Sequence, residues 1–85
     1  MLRIIEVIEE DLYGDINPIQ NAIARSFNIS PGKVRINSFT QVIIDGQICS
    51  FNRNVAKWLQ RYDYFSMNGG NIIEAFYPIR FGISI

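Results

Sequence analysis

From Ile73 to Ile85 the chain alternates with a period of two. Ile73, Ala75, Tyr77, Ile79, Phe81, Ile83 and Ile85 are all apolar, while Glu74, Phe76, Pro78, Arg80, Gly82 and Ser84 between them are mostly polar or small. Period two is the strand period, and it places every odd side chain on one face. Thirteen residues at ~3.3 Å each would span about 43 Å, whereas a domain of this size is roughly 25–30 Å across. The segment therefore cannot stay straight on one sheet. Pro78, which donates no ladder hydrogen bond, marks the joint. Two arrangements fit: residues 79–85 fold back as a further strand on their own body, or they form an extended edge strand that pairs with another molecule. The expectation favours the second, with Ile79, Phe81, Ile83 and Ile85 as interface residues.

At 85 residues the chain reads as a single small α+β domain, 1–85, with a thin stability margin that association would relieve. With 48% hydrophobic and 19% charged residues it is globular and not disordered. The net charge is zero, which removes the simplest electrostatic case for nucleic acid or an anionic membrane. The charge is unevenly placed: residues 1–15 set Arg3 against Glu6, Glu9, Glu10, Asp11 and Asp15 for a net −4, and the remainder carries +4. No apolar run approaches the ~18 residues of a membrane span. The first ten residues are broken by charge, unlike a secretion signal. Cys49 stands alone and cannot form an internal disulfide, so the expected compartment is the reducing cytoplasm.

Residues 2–8 read as a central strand, with Leu2, Ile4 and Ile8 on one face and Ile5 and Val7 on the other. Asn17-Pro18 opens a helix as N-cap and first helical residue, with Ile19, Ile23 and Phe27 as its buried stripe, and Ser30-Pro31-Gly32 closes it. From Val34 to Ile44 the period is two again, placing Arg35, Asn37, Phe39, Gln41 and Ile43 on one face. Asp45-Gly46 predicts a two-residue type I′ hairpin. That loop sets Ile44 opposite Gln47, Ile43 opposite Ile48 and Val42 opposite Cys49, and turns the Cys49 thiol inward. A second helix is capped around Asn52 to Asn54, with Val55, Trp58, Leu59 and Tyr62 as its apolar face, and ends at Met67-Asn68-Gly69-Gly70. The order strand, helix, strand, strand, helix, strand predicts a ferredoxin-like βαββαβ fold: an antiparallel sheet with two helices on one face and the last strand at an edge.

There is no histidine, which removes Ser-His-Asp and Cys-His nucleophilic sites and most zinc ligation. One cysteine gives no thiolate cluster or Cys-x-x-Cys couple, and the glycines form no phosphate-binding loop. Glu9, Glu10, Asp11 and Asp15 are the one carboxylate cluster from which a magnesium-dependent phosphodiesterase would be built, but consecutive acids at a strand end diverge. The favoured reading there is a solvated turn. Arg53, Lys57 and Arg61 form a basic stripe on the second helix, a nucleic-acid or anion-binding alternative. The sheet lacks the aromatic pair of RNA-recognition domains, which argues against that alternative. Tyr64 and Phe65 fall off the buried stripe and are interface candidates.

Trp58, followed by Gly69-Gly70-Asn71-Ile72-Ile73, resembles the close of the small phycobilisome linker domain, where a helix leads into Gly-Gly-Lys-Ile-Val and a final strand. The resemblance covers about a quarter of the chain and implies a non-catalytic adaptor inserted among larger subunits. The chain departs from that family in lacking a Pro-Tyr before the helix and in being neutral where those linkers are basic.

Together these readings predict a non-enzymatic protein–protein interaction module, a small homodimeric adaptor or inhibitor without metal or cofactor. Its partner is a second copy or a larger protein complex. Its surface would comprise the last strand, Phe39, Ile43 and Ile48 on the helix-free face, and Tyr64, Phe65, Arg53, Lys57 and Arg61 as rim.

Overall fold

Asn17 starts a ten-residue α-helix: its side-chain oxygen accepts a hydrogen bond from the Ile19 N–H at 2.8 Å, and Pro18 follows at the first helical position. The computed structural model describes residues 1–14, 16–52, 60 and 79–85. This helix, α1 (Pro18–Phe27), ends at Asn28 in the left-handed region (φ 55°), whose N–H bonds back to the carbonyls of Ala24 and Arg25. Pro18, Ile19, Ala22, Ile23 and Ala24 are buried on its inner stripe, and Phe27 packs at the margin of the core.

Five strands accompany it: β1 (Leu2–Val7), β2 (Val34–Ile36), β3 (Gln41–Ile44), β4 (Gln47–Phe51) and β5 (Ile79–Ser84), with 3₁₀ turns at Glu9–Leu12 and Pro31–Lys33. All pair antiparallel in the order β1-β5-β4-β3-β2. The core lies on the α1 side, where Ile5, Val7, Val34, Val42, Ile44, Cys49, Phe51, Phe81 and Ile83 meet the helix stripe. A flat five-stranded sheet would hold its edges ~19 Å apart. Yet α1, ~10 Å wide, packs against both edge strands, β1 and β2. The sheet therefore curls around the helix.

This is not the ferredoxin-like βαββαβ arrangement. A five-stranded antiparallel sheet with α1 on one face takes its place, and three strand assignments change with it. The last strand lies inside the sheet: β5 pairs with β1 on one side and β4 on the other. Residues 79–84 pair within their own sheet, and Ile79, Phe81 and Ile83 are core residues, not a pairing edge. The first strand, in turn, is an edge and not a centre. Its Ile5 and Val7 are buried while Leu2 and Ile4 stay exposed, so its apolar residues on two faces reflect exposure of one set and not burial of both.

The third change is that residues 34–44 form two strands and not one. Asn37 and Ser38 both donate backbone N–H bonds to the Gln41 carbonyl (3.0 and 3.1 Å), the Asn37 amide bonds the Gln41 side chain, and Thr40 N–H reaches the Ser38 hydroxyl at 3.3 Å. Short polar side chains here satisfy the backbone locally and turn the chain. Phe39 consequently sits in an exposed turn and not on a strand face.

The second hairpin follows the sequence reading residue for residue. Ile44 pairs with Gln47, Ile43 with Ile48 and Val42 with Cys49. Asp45 (φ 49°) and Gly46 (φ 85°) both occupy the left-handed region that a type I′ loop demands. Of the second predicted helix only Gln60 is described, and it is helical; Val55, Trp58, Leu59 and Tyr62 lie outside the described residues, as do residues 71–78.

Candidate interaction surface

The convex face of the sheet carries the even residues of β1 and β5 and their neighbours across the ladders. Leu2, Ser84, Ser50 and Gln41 stand in one row across four strands. To one side of that row Arg35, Ile43 and Ile48 stand across β2, β3 and β4, and to the other Ile4 stands beside Gly82. Ile48 is 65% exposed, Ile4 54% and Leu2 52%. Two apolar spots thus flank a short hydroxyl row. At the far end Arg80 and Glu6 form an exposed ion pair at 2.9 Å, a contact worth ~0–1 kcal/mol.

Gly82 makes the centre of this face flat, and β4 shows why a side chain is excluded there. A Cβ at position 82 would lie 2.8 Å from Leu2 Cδ1 and 3.0 Å from the Asn52 amide. Asn52 donates its backbone N–H to the Gly82 carbonyl, and its side-chain oxygen accepts the Gly82 N–H, both at 2.8 Å. The amide oxygen thus occupies the place that the Asn52 carbonyl would take in a continuing ladder, and β4 stops at this residue.

Of the acids that follow β1, Asp11 departs from the expected solvated turn and is buried, while Glu9 and Glu10 stay exposed. Asp11 is 3% exposed. Its carboxylate accepts from Arg25 Nε (3.2 Å) and Nη2 (3.1 Å) and from the Ile8 N–H (2.9 Å). Arg25 Nη2 also donates to the Glu6 carbonyl at 2.8 Å, and the hydrogen bonds it donates to Asp11 hold the guanidinium above its usual pKa. A buried carboxylate needs such a partner. Glu9 faces away and accepts from the Tyr13 hydroxyl at 3.2 Å, a bond that, with the Glu9 charge, pushes the phenol up. Among the described residues no group of three or more acids, cysteines or histidines is placed to hold a metal ion. Asp15 lies outside them. The Asp11–Arg25 pairing was not read from the sequence, since fourteen residues separate the partners and no helical i, i+4 spacing announces it.

Cys49 is buried beside Val42, as the hairpin register requires, and burial pushes its thiol up, away from the reactive thiolate. An open pocket of about 260 Å³ lies near it, between Phe27, Ile29 and Ile85. Of the residues singled out by the sequence, Ile48 and the half-buried Ile43 do share the helix-free face. Ile85 is 40% exposed and turns toward that pocket instead. Arg53, Lys57, Arg61, Tyr64 and Phe65 lie outside the described residues. Leu2 and Ile4, missed as surface residues, carry much of the exposed apolar area. The signal for them was the polar or small set Arg80, Gly82 and Ser84 on the same face of the neighbouring strand.

No protein-family model matches this chain, and no curated protein or solved structure matches it. No helix among the described residues is long and apolar enough to cross a membrane.

Proposed function

We propose that the chain is a non-catalytic protein–protein interaction module that works as a small homodimer. The observation that carries this reading is the exposed apolar set Leu2, Ile4 and Ile48 on the helix-free side of the sheet. A small domain that leaves large aliphatic side chains together on one face has a surface suited to association. The absence of histidine and the burial of the one thiol support a non-catalytic role. So does Asp11, whose carboxylate is fully engaged by Arg25 and Ile8.

Sedimentation equilibrium over a wide concentration range tests this reading. The expected result is a mass that rises from one chain toward two. A mass that stays at one chain up to the solubility limit would overturn the homodimer.

A further inference from the structure

The outer edge of β1 is a row of backbone groups with a defined start, centre and stop. Ile85 N–H bonds the Met1 carbonyl at 2.9 Å, so residues 1 and 85 are a hydrogen-bonded pair. By the alternation of an antiparallel ladder, Arg3, Ile5 and Val7 then direct their N–H and C=O groups toward β5. Leu2, Ile4, Glu6 and Ile8 direct theirs outward. Three of these outward groups have partners: Arg25 donates to the Glu6 carbonyl, the Ile8 N–H donates to Asp11, and the Ile8 carbonyl accepts the Asp11 N–H. The open stretch is therefore residues 2–6, with Ile4 at its centre. It holds no proline or lysine, the residues that usually blunt an edge. Arg3 does not screen it, because its guanidinium lies over the Phe27 ring at 4.3 Å and bonds the Ser26 carbonyl.

We infer that this edge pairs with the same edge of a second copy, antiparallel about a two-fold axis through Ile4. The inference rests on the homodimer reading above and names its surface. In this register Ile4 faces Ile4 of the second copy, and Leu2 faces Glu6. Every outward N–H in the stretch then finds a carbonyl, the Glu6 oxygen using its second lone pair. The neighbouring registers fail on charge or on donors. A slip toward the start sets Leu2 opposite Ile4 and carries the outward Glu6 N–H past the open stretch of the second copy. A slip the other way sets Leu2 opposite Ile8, whose N–H already serves Asp11; a further slip sets Glu6 opposite Glu6. The Ile8–Asp11 bond thus acts as a stop that selects one register. A pairing of five residues per copy buries far less than the ~1,200 Å² of a standard interface, so the dimer is weak and concentration-dependent.

Charge-swapped variants at the axis test this. Ile4 is exposed, so Ile4→Lys and Ile4→Glu should both fold, which circular dichroism checks. Each variant alone should sediment as a single chain where the wild type is dimeric, and an equimolar mixture should recover the two-chain mass. Only a contact of residue 4 with residue 4 gives that recovery. If the wild type is dimeric and each variant remains so, or if the mixture stays at one chain, the β1 register is overturned while the homodimer reading stands. A wild type that never dimerises overturns both.

Discussion

Two ladders of the same sheet are built in opposite ways. β3 and β4 are joined by two residues, Asp45 and Gly46, and their register is dictated by two left-handed dihedral angles. β1 and β5 come from opposite ends of the chain, pairing Leu2 with Ser84 and Val7 with Ile79, and no turn sets their register. Burial does: slipping β5 by one residue would move Ile79, Phe81 and Ile83 from the core to the convex face. The local ladder costs little entropy to close and sets Val42, Ile44, Cys49 and Phe51 in the core, while the distant one costs more and sets Ile5, Val7, Ile79, Phe81 and Ile83 there. On loop length alone the hairpin is expected to form first and the β1–β5 ladder later.

The largest effect should come from Phe81, which stacks edge-on against Phe51 at 5.7 Å in the core. Phe81→Ala is expected to lower stability by about 4 kcal/mol in urea unfolding, chiefly by faster unfolding if this ladder forms late. A mutant that mainly slows folding would place the distant ladder first and reverse the comparison. Next is Arg25→Met, which leaves the Asp11 carboxylate buried without its cation. A loss of about 3 kcal/mol is expected, part of it recovered when Asp11→Asn is added. No recovery in that double mutant would mean that the packing of Arg25, and not its charge, is what matters.

Gly46→Ala places a Cβ at a φ of 85° and should lower stability by about 1 kcal/mol. Stopped-flow refolding should slow by nearly the whole of that loss if the hairpin is formed in the transition state. The smallest effect is alkaline. Burial raises the Cys49 thiol above its ordinary value of 9.0, so the folded chain holds this proton where the unfolded chain releases it. The contribution is present below the unfolded value and is lost as pH rises through the folded one. The wild-type stability curve should accordingly fall faster above pH ~9 than that of Cys49→Ala. Parallel curves would show a thiol open to solvent.

How much could be read from residues alone follows the same division. Asn17-Pro18 and Asp45-Gly46 each carry their structure within a few residues, and both elements appear as the sequence implies. The break between β2 and β3 was hidden because five residues, an odd number, lie between the paired Ile36 and Val42. Val34 and Ile44 therefore keep the parity of one continuous strand while pairing across two. Strand order was hidden for a different reason. Alternation reports which side of a strand is buried, and says nothing of its neighbours in the sheet. Gly82 held the missing hint: a glycine within so regular a strand implies close approach by flanking strands, here by Leu2 and Asn52. For the surface, Ile43 and Ile48 were legible from the hairpin register, whereas Leu2 and Ile4 were masked by the assumption that the first strand is central.

The pairing of Met1 with Ile85 has a topological consequence. Taken in spatial order, β2, β3, β4, β5 and β1 would be successive strands of a plain up-and-down meander if β5 led directly into β1. Ile85 and Met1 are already hydrogen-bonded neighbours in adjacent antiparallel strands, the geometry that a two-residue Asn-Gly link closes. The molecule is thus a circularly permuted meander, cut between the strands that the other connectivity would join and spliced through α1 instead. A chain reopened between α1 and β2 and joined at Ile85 and Met1 would build the same sheet entirely from neighbouring strands.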